Sequence, residues 1–324
     1  MRVSFIKGIL AGLSPRNKTM KRAVSISIGS SKRDKTVEVT LLDQKVRLER
    51  IGTDGDMKKA AQLYSELDGK VDAFGVGGAV LGLLVKDRWY PFYSLLPLVK
   101  GVHQTPIVDG TGLKTTLEAK IGRILRENLS NQIKNKRVLV MNAVDRWGLA
   151  HTFVEENYEC VFGDFFFSLG LPIPIRKEST VQFLARLLIP IMSHFPFEWL
   201  YPVGEAQEKR TPKMVNYFDW ASVIAGDCHY ITRYMPDKLT GKVIVTNTTT
   251  PEDVNLFRQA GVRYLVTTTP VFDGRSFGTN VLEAGIIAAM GRREPVDYAH
   301  PGDYFKQMAE VIQQIKLNPQ IQEL

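Results

Sequence analysis

A glycine turn, an amphipathic helix, a strand and a second helix follow one another between Thr105 and Gly148. The turn comprises residues 109–112, and the helix after it has apolar residues at helical spacing. The strand spans residues 137–141, and Trp147 starts the next amphipathic helix. A β-α-β dinucleotide-binding unit begins in this way, so the sequence predicts a linker helix that leads into a Rossmann-like domain.

Strands and helices alternate after this unit in the order of a parallel sheet with right-handed crossovers. Before it, β-branched runs and turn residues predict several strands and one helix. We therefore predict an α/β fold with an N-terminal α/β catalytic-type domain and a Rossmann-like domain with a doubly wound parallel sheet. The predicted boundaries are an N-terminal extension at 1–19, a substrate-type domain at 20–113, the Rossmann-like domain at 114–300 and a helix at 301–315 that packs back on the first domain.

Composition and charge exclude several classes of protein. The longest uncharged run, residues 73–85, has 13 residues, whereas a membrane-spanning helix needs about 18 or more. The net charge of +8 is scattered among acids, so we expect an anionic small molecule and no nucleic-acid partner. Two cysteines without paired spacing, Cys160 and Cys228, argue against disulfides and against a metal site. They fit a reducing, cytoplasmic location.

The turn after the first Rossmann strand is the predicted cofactor site, with residues Asn142, Ala143, Arg146 and Gly148. Asp164 follows the second strand, 22 residues after Asn142. That spacing is typical of the carboxylate that binds a ribose 2′-hydroxyl, and it favours NAD over NADP. A helix cap or a surface aspartate is the alternative. Side chains and the charge of Asp145 stand where glycines would let a pyrophosphate approach the backbone.

Two parts of the chain resemble the shikimate and quinate dehydrogenase family. Residues 108–112, Val-Asp-Gly-Thr-Gly, are similar to the Asn-Thr-Asp-Gly-x-Gly segment that closes the family's catalytic domain. Residues 242–265 and 276–289 are similar to its last two cofactor-domain strands and its closing helix. The resemblance implies an NAD-dependent oxidoreductase of two domains that acts on a hydroxylated carboxylate in the cleft between them.

The resemblance also implies roles for single residues. Asp109 takes the place of the family's catalytic aspartate, and Lys86 or Lys114 takes the place of the lysine beside it. A turn-forming aspartate and solvated surface lysines are the alternatives. The positions implied for substrate are Ser30, Ser31, Lys32 and Glu283. Thr246, at the end of a predicted strand of the second domain, is a further candidate for the cofactor.

Two other functions are consistent with the sequence. One is a Rossmann-derived binding or regulatory protein that has lost hydride chemistry but holds a small anionic metabolite. An acyl-group reductase in peripheral contact with membranes is suggested by the apolar region 165–204 and by Cys228 beside His229. We expect these two residues on a strand, with opposite orientations, and a buried structural cysteine is the alternative. The sequence is compatible with a homo-oligomer and does not determine the oligomeric state.

Overall fold

The structure is a computed structural model that describes residues 20–196, 210–269, 271–272, 275–276 and 278–324. The chain forms two main sheets, and we call the parts built around them the first lobe and the second lobe. Both sheets are mostly parallel and are covered by helices. The two-domain α/β fold predicted from the sequence is confirmed. The predicted N-terminal extension, 1–19, lies outside the described residues.

The sheet of the first lobe has the strand order β2-β3-β1-β4-β7 and is parallel except for β2. Its strands are β1 Lys21–Ser27, β2 Lys35–Leu41, β3 Gln44–Gly52, β4 Ala73–Gly77 and β7 Ile107–Val108. The turn between β2 and β3 places Leu42 and Asp43 at positive φ, as a two-residue hairpin requires. A separate hairpin consists of β5 Gly82–Val85 and β6 Arg88–Pro91.

One face of the first sheet is covered by α1 (Met57–Leu67). Its buried residues Ala60 and Tyr64, four positions apart, lie on one side of the helix and join the core on this face. The hydroxyl of Tyr64 donates to the carbonyl oxygens of Ile26 and Gly75, each at 3.0 Å. The helix is thereby attached to both central strands.

The sheet of the second lobe has the strand order β9-β8-β10-β11-β12-β15, and only β15 is antiparallel to its neighbour. Its strands are β8 Arg137–Val140, β9 Glu159–Phe162, β10 Val223–Ala225, β11 Val243–Thr246, β12 Tyr264–Thr267 and β15 Gln320–Glu323. Among the described residues, the outer edge of β9 pairs only with Ile175, in an isolated bridge. Over the described residues the sheet therefore has the strand order of flavodoxin-like proteins, and β9 is its edge strand.

Helices lie on both faces of the second sheet. They are α4 Ile121–Leu129, α5 Trp147–Glu155, α6 Asp164–Phe167, α7 Glu178–Met192, α8 Val215–Trp220, α9 Cys228–Tyr234 and α10 Pro251–Gln259. Successive residues of each strand point to opposite faces of the sheet. Val138 and Val140 pack with α4 and α5, whereas Leu139 and Met141 pack with α8, α9 and α10. This alternation gives the doubly wound sheet that the apolar strands predicted.

The end of the chain returns to the first lobe. After a hairpin of β13 Val271–Phe272 and β14 Arg275–Ser276 come α11 (Thr279–Met290) and α12 (Tyr304–Gln314). Both pack in the core on the second face of the first sheet, together with α3 (Thr111–Thr116). The domain predicted at 114–300 included α11; the structure places α11 in the first lobe instead, because its apolar surface covers the otherwise bare face of that sheet.

Helix α7 packs against both lobes. Val181 of α7 belongs to the core of the second lobe, whereas Ala185 and Ile189, one and two turns later, belong to that of the first. Pro190 lies within the helix. In the part of the chain that the structure describes, no helix is long and apolar enough to cross a membrane.

Candidate functional site

Polar side chains gather where the central strands of the second sheet end. The crevice at the carboxyl ends of β8 and β10 is the switch point of the sheet, the usual ligand position in this fold class. Asn142, Asp227 and Asn247 come shortly after β8, β10 and β11, which are apolar and buried. The side chain of Asn142 accepts the backbone N–H of Asp227 at 3.4 Å, and Asn247 Nδ2 donates to Asp227 Oδ2 at 2.9 Å.

Arg146 is buried beside this cluster and binds two acids. Its guanidinium donates to Glu118 Oε1 and, at 3.1 Å, to Asp227 Oδ2. Burial opposes its charge, but Glu118, Asp227 and Asp145 together raise the pKa of Arg146. Burial likewise opposes the charge of Asp227, and Arg146 and His229 nevertheless lower the pKa of that carboxyl to about 2. Arg146 and Asp227 therefore form an ion pair in which the arginine is buried and the aspartate side chain is 23% exposed. Burial raises the pKa of the second partner, Glu118, against the effect of Arg146.

Asp164 binds the turn that was predicted to hold the cofactor. Its carboxylate accepts the backbone N–H of Ala143 at 3.1 Å and that of Val144 at 3.0 Å. Burial raises the pKa of Asp164 to about 6, so the group is mostly ionised at neutral pH. In a dinucleotide-binding turn such amides face the pyrophosphate. Here a carboxylate of the protein takes that position, and Asp164 is directed at the turn instead of outward to a ribose.

A crevice between the lobes contains a lysine–aspartate pair. Lys114 Nζ donates to Asp145 Oδ1 at 2.7 Å, and each side chain is 11% exposed. Lys114 belongs to α3 and Asp145 to the turn after β8, so each lobe contributes one charge. The crevice has a volume of about 270 Å³, counting space open to solvent, and is lined by Gly82, Leu83, Leu84, Thr111, Lys114, Thr115, Asp145, Trp147 and Gly148.

Two of the predicted cofactor residues have packing or orienting contacts. A Cβ at Gly148 would lie 2.8 Å from the carbonyl oxygen of Lys114, so a glycine is needed where α5 approaches α3. Thr246 is fully buried, and its hydroxyl donates to Asn247 Oδ1 at 3.1 Å. Thr246 thus orients a side chain of the polar cluster without facing the crevice itself.

The predicted catalytic aspartate binds the backbone. Asp109 is 2% exposed, and its two carboxylate oxygens accept the N–H of Leu81 at 2.7 Å and the N–H of Thr111 at 3.0 Å. These bonds fix the turn before α3 against the hairpin, which is the turn-forming role that the sequence left open. Lys86, the first candidate for the lysine beside this aspartate, is exposed. It lies at positive φ in the tight turn of the β5–β6 hairpin.

Glu283, implied for substrate, is enclosed in the first lobe. Its carboxylate accepts the hydroxyls of Tyr298 at 2.9 Å and Tyr304 at 2.5 Å, and also the backbone N–H of Leu113 at 3.2 Å. Burial is the main reason that the pKa of Glu283 rises to about 7. A Cβ at Gly112 would lie 2.6 Å from its Oε1, so the glycine of the turn is required for this packing. Glu283 therefore connects α11, α3 and the end of the chain.

The serines implied for the substrate carboxylate lie in the turn after β1. Ser30 Oγ accepts the backbone N–H of Lys32 at 3.3 Å, and Ser31 and Lys32 are exposed. The next residue, Arg33, contacts the second lobe, with its Nη1 2.8 Å from His229 Nε2. This turn therefore faces the opposite lobe at the mouth of the cleft.

Cys228 and His229 begin α9, although we predicted them on a strand. Asp227 caps this helix by accepting the N–H of His229 at 2.9 Å, which explains why the chain turns helical directly after β10. Burial raises the pKa of the Cys228 thiol well above its usual range, so the thiol stays protonated. Across the described ranges, no group of three or more His, Cys, Asp or Glu side chains is placed to hold a metal ion.

The structure thus brings together only part of the predicted site. Asn142, Arg146 and Lys114 lie in or beside the inter-lobe crevice, whereas Lys86 and Glu283 do not. Sequence reasoning missed the acids and amides that complete the cluster, which are Glu118, Asp227 and Asn247. The last two carried the same signal as Asn142, a polar residue shortly after an apolar strand. Glu118 carried no such signal, because it lies in a helical segment and does not follow a strand.

Comparison with known proteins gives two family matches. The family described as Domain of unknown function (DUF8754) matches residues 112–324, and Domain of unknown function (DUF8753) matches residues 22–109. The search of curated proteins gave no match.

Solved structures match over most of the chain at low similarity. The NAD-dependent malic enzyme from Thermotoga maritima is 13% identical with a TM-score of 0.41, over 91% of this chain and 77% of that one. The malic enzyme of Entamoeba histolytica is 10% identical with a TM-score of 0.38, over 91% and 63%. A glucose-galactose binding protein from Geobacillus stearothermophilus is 10% identical with a TM-score of 0.35, over 94% and 98%.

Proposed function

The chain belongs to the family Domain of unknown function (DUF8754), and we propose that it binds a small hydroxylated carboxylate in the crevice between its lobes. In this proposal no dinucleotide is held at the turn after β8. The protein is then a Rossmann-derived metabolite-binding protein, and ligand contacts come from both lobes.

The hydrogen bonds of Asp164 carry this proposal. A pyrophosphate at the turn would need the N–H groups of Ala143 and Val144, and both donate to Asp164. It would also meet a carboxylate that is mostly ionised at neutral pH, because the pKa of Asp164 is about 6. Two negative groups at hydrogen-bond distance of the same amides repel each other strongly in a buried site.

The crevice itself suits a small acid with hydroxyl groups. Lys114 supplies a cation, Thr111 and Thr115 supply hydroxyls, and Trp147 supplies an apolar wall. A ligand carboxylate would compete with Asp145 for the Lys114 ammonium, and the Asp145 oxygens would then accept ligand hydroxyls. The enclosed space is smaller than such an acid, so binding requires the lobes to move apart, and a dinucleotide would require a still larger opening.

The direct test is calorimetry with quinate, shikimate and malate as probes. We expect saturable binding of at least one of them, and a loss of about tenfold or more in Lys114→Met, because a buried charged hydrogen bond is removed. Lys134→Met, at an exposed lysine of the second lobe, is the matched control and should bind as the unaltered protein does. Absence of binding up to about 1 mM, or equal affinity in Lys114→Met, would contradict the proposal.

An NAD-dependent oxidoreductase of the shikimate/quinate type, acting on the same class of ligand, is the second candidate. What favours it is the pairing of Lys114 with Asp145 at 2.7 Å in the crevice, since a lysine and a carboxylate are the groups that a polyol dehydrogenase needs to move a proton. NAD would then have to displace Asp164 from the turn.

Titration of NADH, followed by energy transfer from tryptophan, separates the two candidates. If Asp164 holds the ribose, Asp164→Asn weakens NADH binding. If Asp164 occupies the pyrophosphate position, the unaltered protein binds NADH poorly and Asp164→Asn binds it better, because the repelling charge is gone. Tight NADH binding by the unaltered protein, weakened in Asp164→Asn, would replace the first proposal with the second.

A further inference from the structure

The outward face of α7 exposes a row of large apolar side chains. Phe183, Leu187 and Ile191, spaced four residues apart, are 64%, 55% and 60% exposed. The opposite face of the same helix is buried between the lobes. The helix is therefore apolar on both sides, although only one side has a partner among the described residues. Exposed apolar rows of this kind mark interaction surfaces.

A second segment extends this row onto the first lobe. It runs through the 3-10 turn at Tyr93–Leu95 and α2 (Leu96–Val99). Tyr93 and Leu96 are 47% and 44% exposed. The backbone N–H of Tyr93 donates to the carbonyl oxygen of Ser193 at 3.0 Å, and its ring stacks on His194 at 4.4 Å. The two segments therefore form one continuous surface.

We call this surface the α7 patch, and it consists of Tyr93, Leu96, Lys100, Phe183, Arg186, Leu187 and Ile191. Its charges have one sign. Lys100 and Arg186 are exposed, and the sequence has no Asp or Glu in residues 93–100 or 179–195. Elsewhere on the protein, exposed cations commonly pair with acids, as Arg123 does with Glu127.

We infer that the α7 patch docks on an anionic lipid surface. Aromatic and aliphatic side chains flanked by Lys and Arg suit the boundary between headgroups and acyl chains, where the apolar groups insert and the cations meet lipid phosphates. The net charge of +8 adds a long-range attraction to such a surface.

The charges also argue against a second copy as the occupant. In a symmetric dimer the same surface faces itself, so residues near the axis meet their own counterparts. Arg186 is exposed on α7 beside this row, so packing two copies of the patch together would bury cations from both copies at the interface. Neither segment of the patch offers an acid to compensate them.

The test is co-sedimentation with vesicles. We expect the protein to bind vesicles that contain about a third phosphatidylglycerol, to bind phosphatidylcholine vesicles weakly, and to dissociate in about 0.5 M salt. The double variant Phe183→Ser/Leu187→Ser should lose about tenfold or more of its partitioning, because two inserted side chains are removed. Arg186→Glu should weaken binding to the anionic vesicles as well.

Val215→Ser is the matched control, because Val215 is an apolar residue of α8 with 39% exposure outside the patch. It should bind as the unaltered protein does, and equal thermal melting of all variants shows that they fold. The inference is overturned if the unaltered protein ignores anionic vesicles or if the double variant binds them equally well. It is also overturned if the unaltered protein is a dimer by light scattering and the double variant is a monomer, which would make a second copy the occupant.

Discussion

The carboxylate of Asp164 lies 3.1 Å from the backbone nitrogen of Ala143, so the acid that follows β9 binds the turn that follows β8. A carboxylate of the protein itself therefore accepts the backbone N–H groups of this turn. It satisfies amides that would otherwise need an external anion at the start of α5. Burial raises the pKa of the Asp164 carboxyl to about 6, and the hydrogen bonds from Val144 and Ala143 offset only part of that rise.

The first prediction concerns stability as a function of pH. The pKa of Asp164 rises from 3.8 to about 6 on folding, so its contribution is full below about pH 4 and is lost as the pH rises through 6. The loss amounts to about 3 kcal/mol. Asp164→Asn lacks this slope, so its stability relative to the unaltered protein should increase by that amount between about pH 4 and pH 8. Urea unfolding at several pH values measures the difference.

Glu283 also has a raised pKa, but it is present in both proteins and cancels in this comparison. Asp237→Asn is the control, because Asp237 is on the surface with its side chain 89% exposed. A pH-independent difference between Asp164→Asn and the unaltered protein would show that the Asp164 carboxyl titrates normally.

The second prediction concerns the buried ion pairs of Arg146. Arg146→Met leaves Glu118 and Asp227 without their cation, and the unfolding free energy should fall by about 3–5 kcal/mol. Arg123→Met breaks only the exposed pair with Glu127 and should cost less than about 1 kcal/mol. Urea unfolding followed by tryptophan fluorescence measures both. Equal effects of the two substitutions would mean that the acids beside Arg146 are not charged in the folded protein.

The third prediction concerns the glycine turn. In Gly112→Ala the new methyl group would lie 2.6 Å from Glu283 Oε1 and 2.9 Å from the Tyr304 hydroxyl. We expect a loss of about 1–3 kcal/mol in thermal or urea unfolding. In a Glu283→Ala background the closest clash is removed and the Tyr304 hydroxyl loses the acceptor that holds it in place, so the same substitution should cost less. An additive double-mutant cycle would show that the two residues do not meet.

The fourth prediction concerns the two thiols. Burial raises the pKa of Cys160 to about 12 and that of Cys228 well above its usual range, so neither forms the reactive thiolate at neutral pH. Both should react with a disulfide reagent only slowly in the native protein and rapidly in urea. Rapid labelling of one native thiol, assigned by mass spectrometry to Cys228, would instead support the acyl-group reductase.

Much of the fold could be predicted because apolar strands and amphipathic helices alternate clearly. The strand before Asn142 and the turn at Asp109 lie where the sequence indicated. The spacing of Asp164 from Asn142 was also informative, since it placed the acid at the end of the neighbouring strand.

The directions of side chains could not be predicted in the same way. Spacing places Asp164 at the edge of the sheet but does not say whether its carboxylate points outward or toward the next turn. The sequence order of α11 suggested the second lobe, whereas contacts distant in sequence place it on the first sheet. His229 follows a strand directly, and only the cap by Asp227 shows that a helix starts there.

The position of α11 has a consequence for how this polypeptide can be divided. A fragment cut between residues 109 and 112, where the two family matches meet, would carry the first sheet without the helix that shields Ala23, Leu48 and Ala73 from water. Such a fragment should aggregate when it is produced alone and become soluble when the remainder is supplied in the same cell.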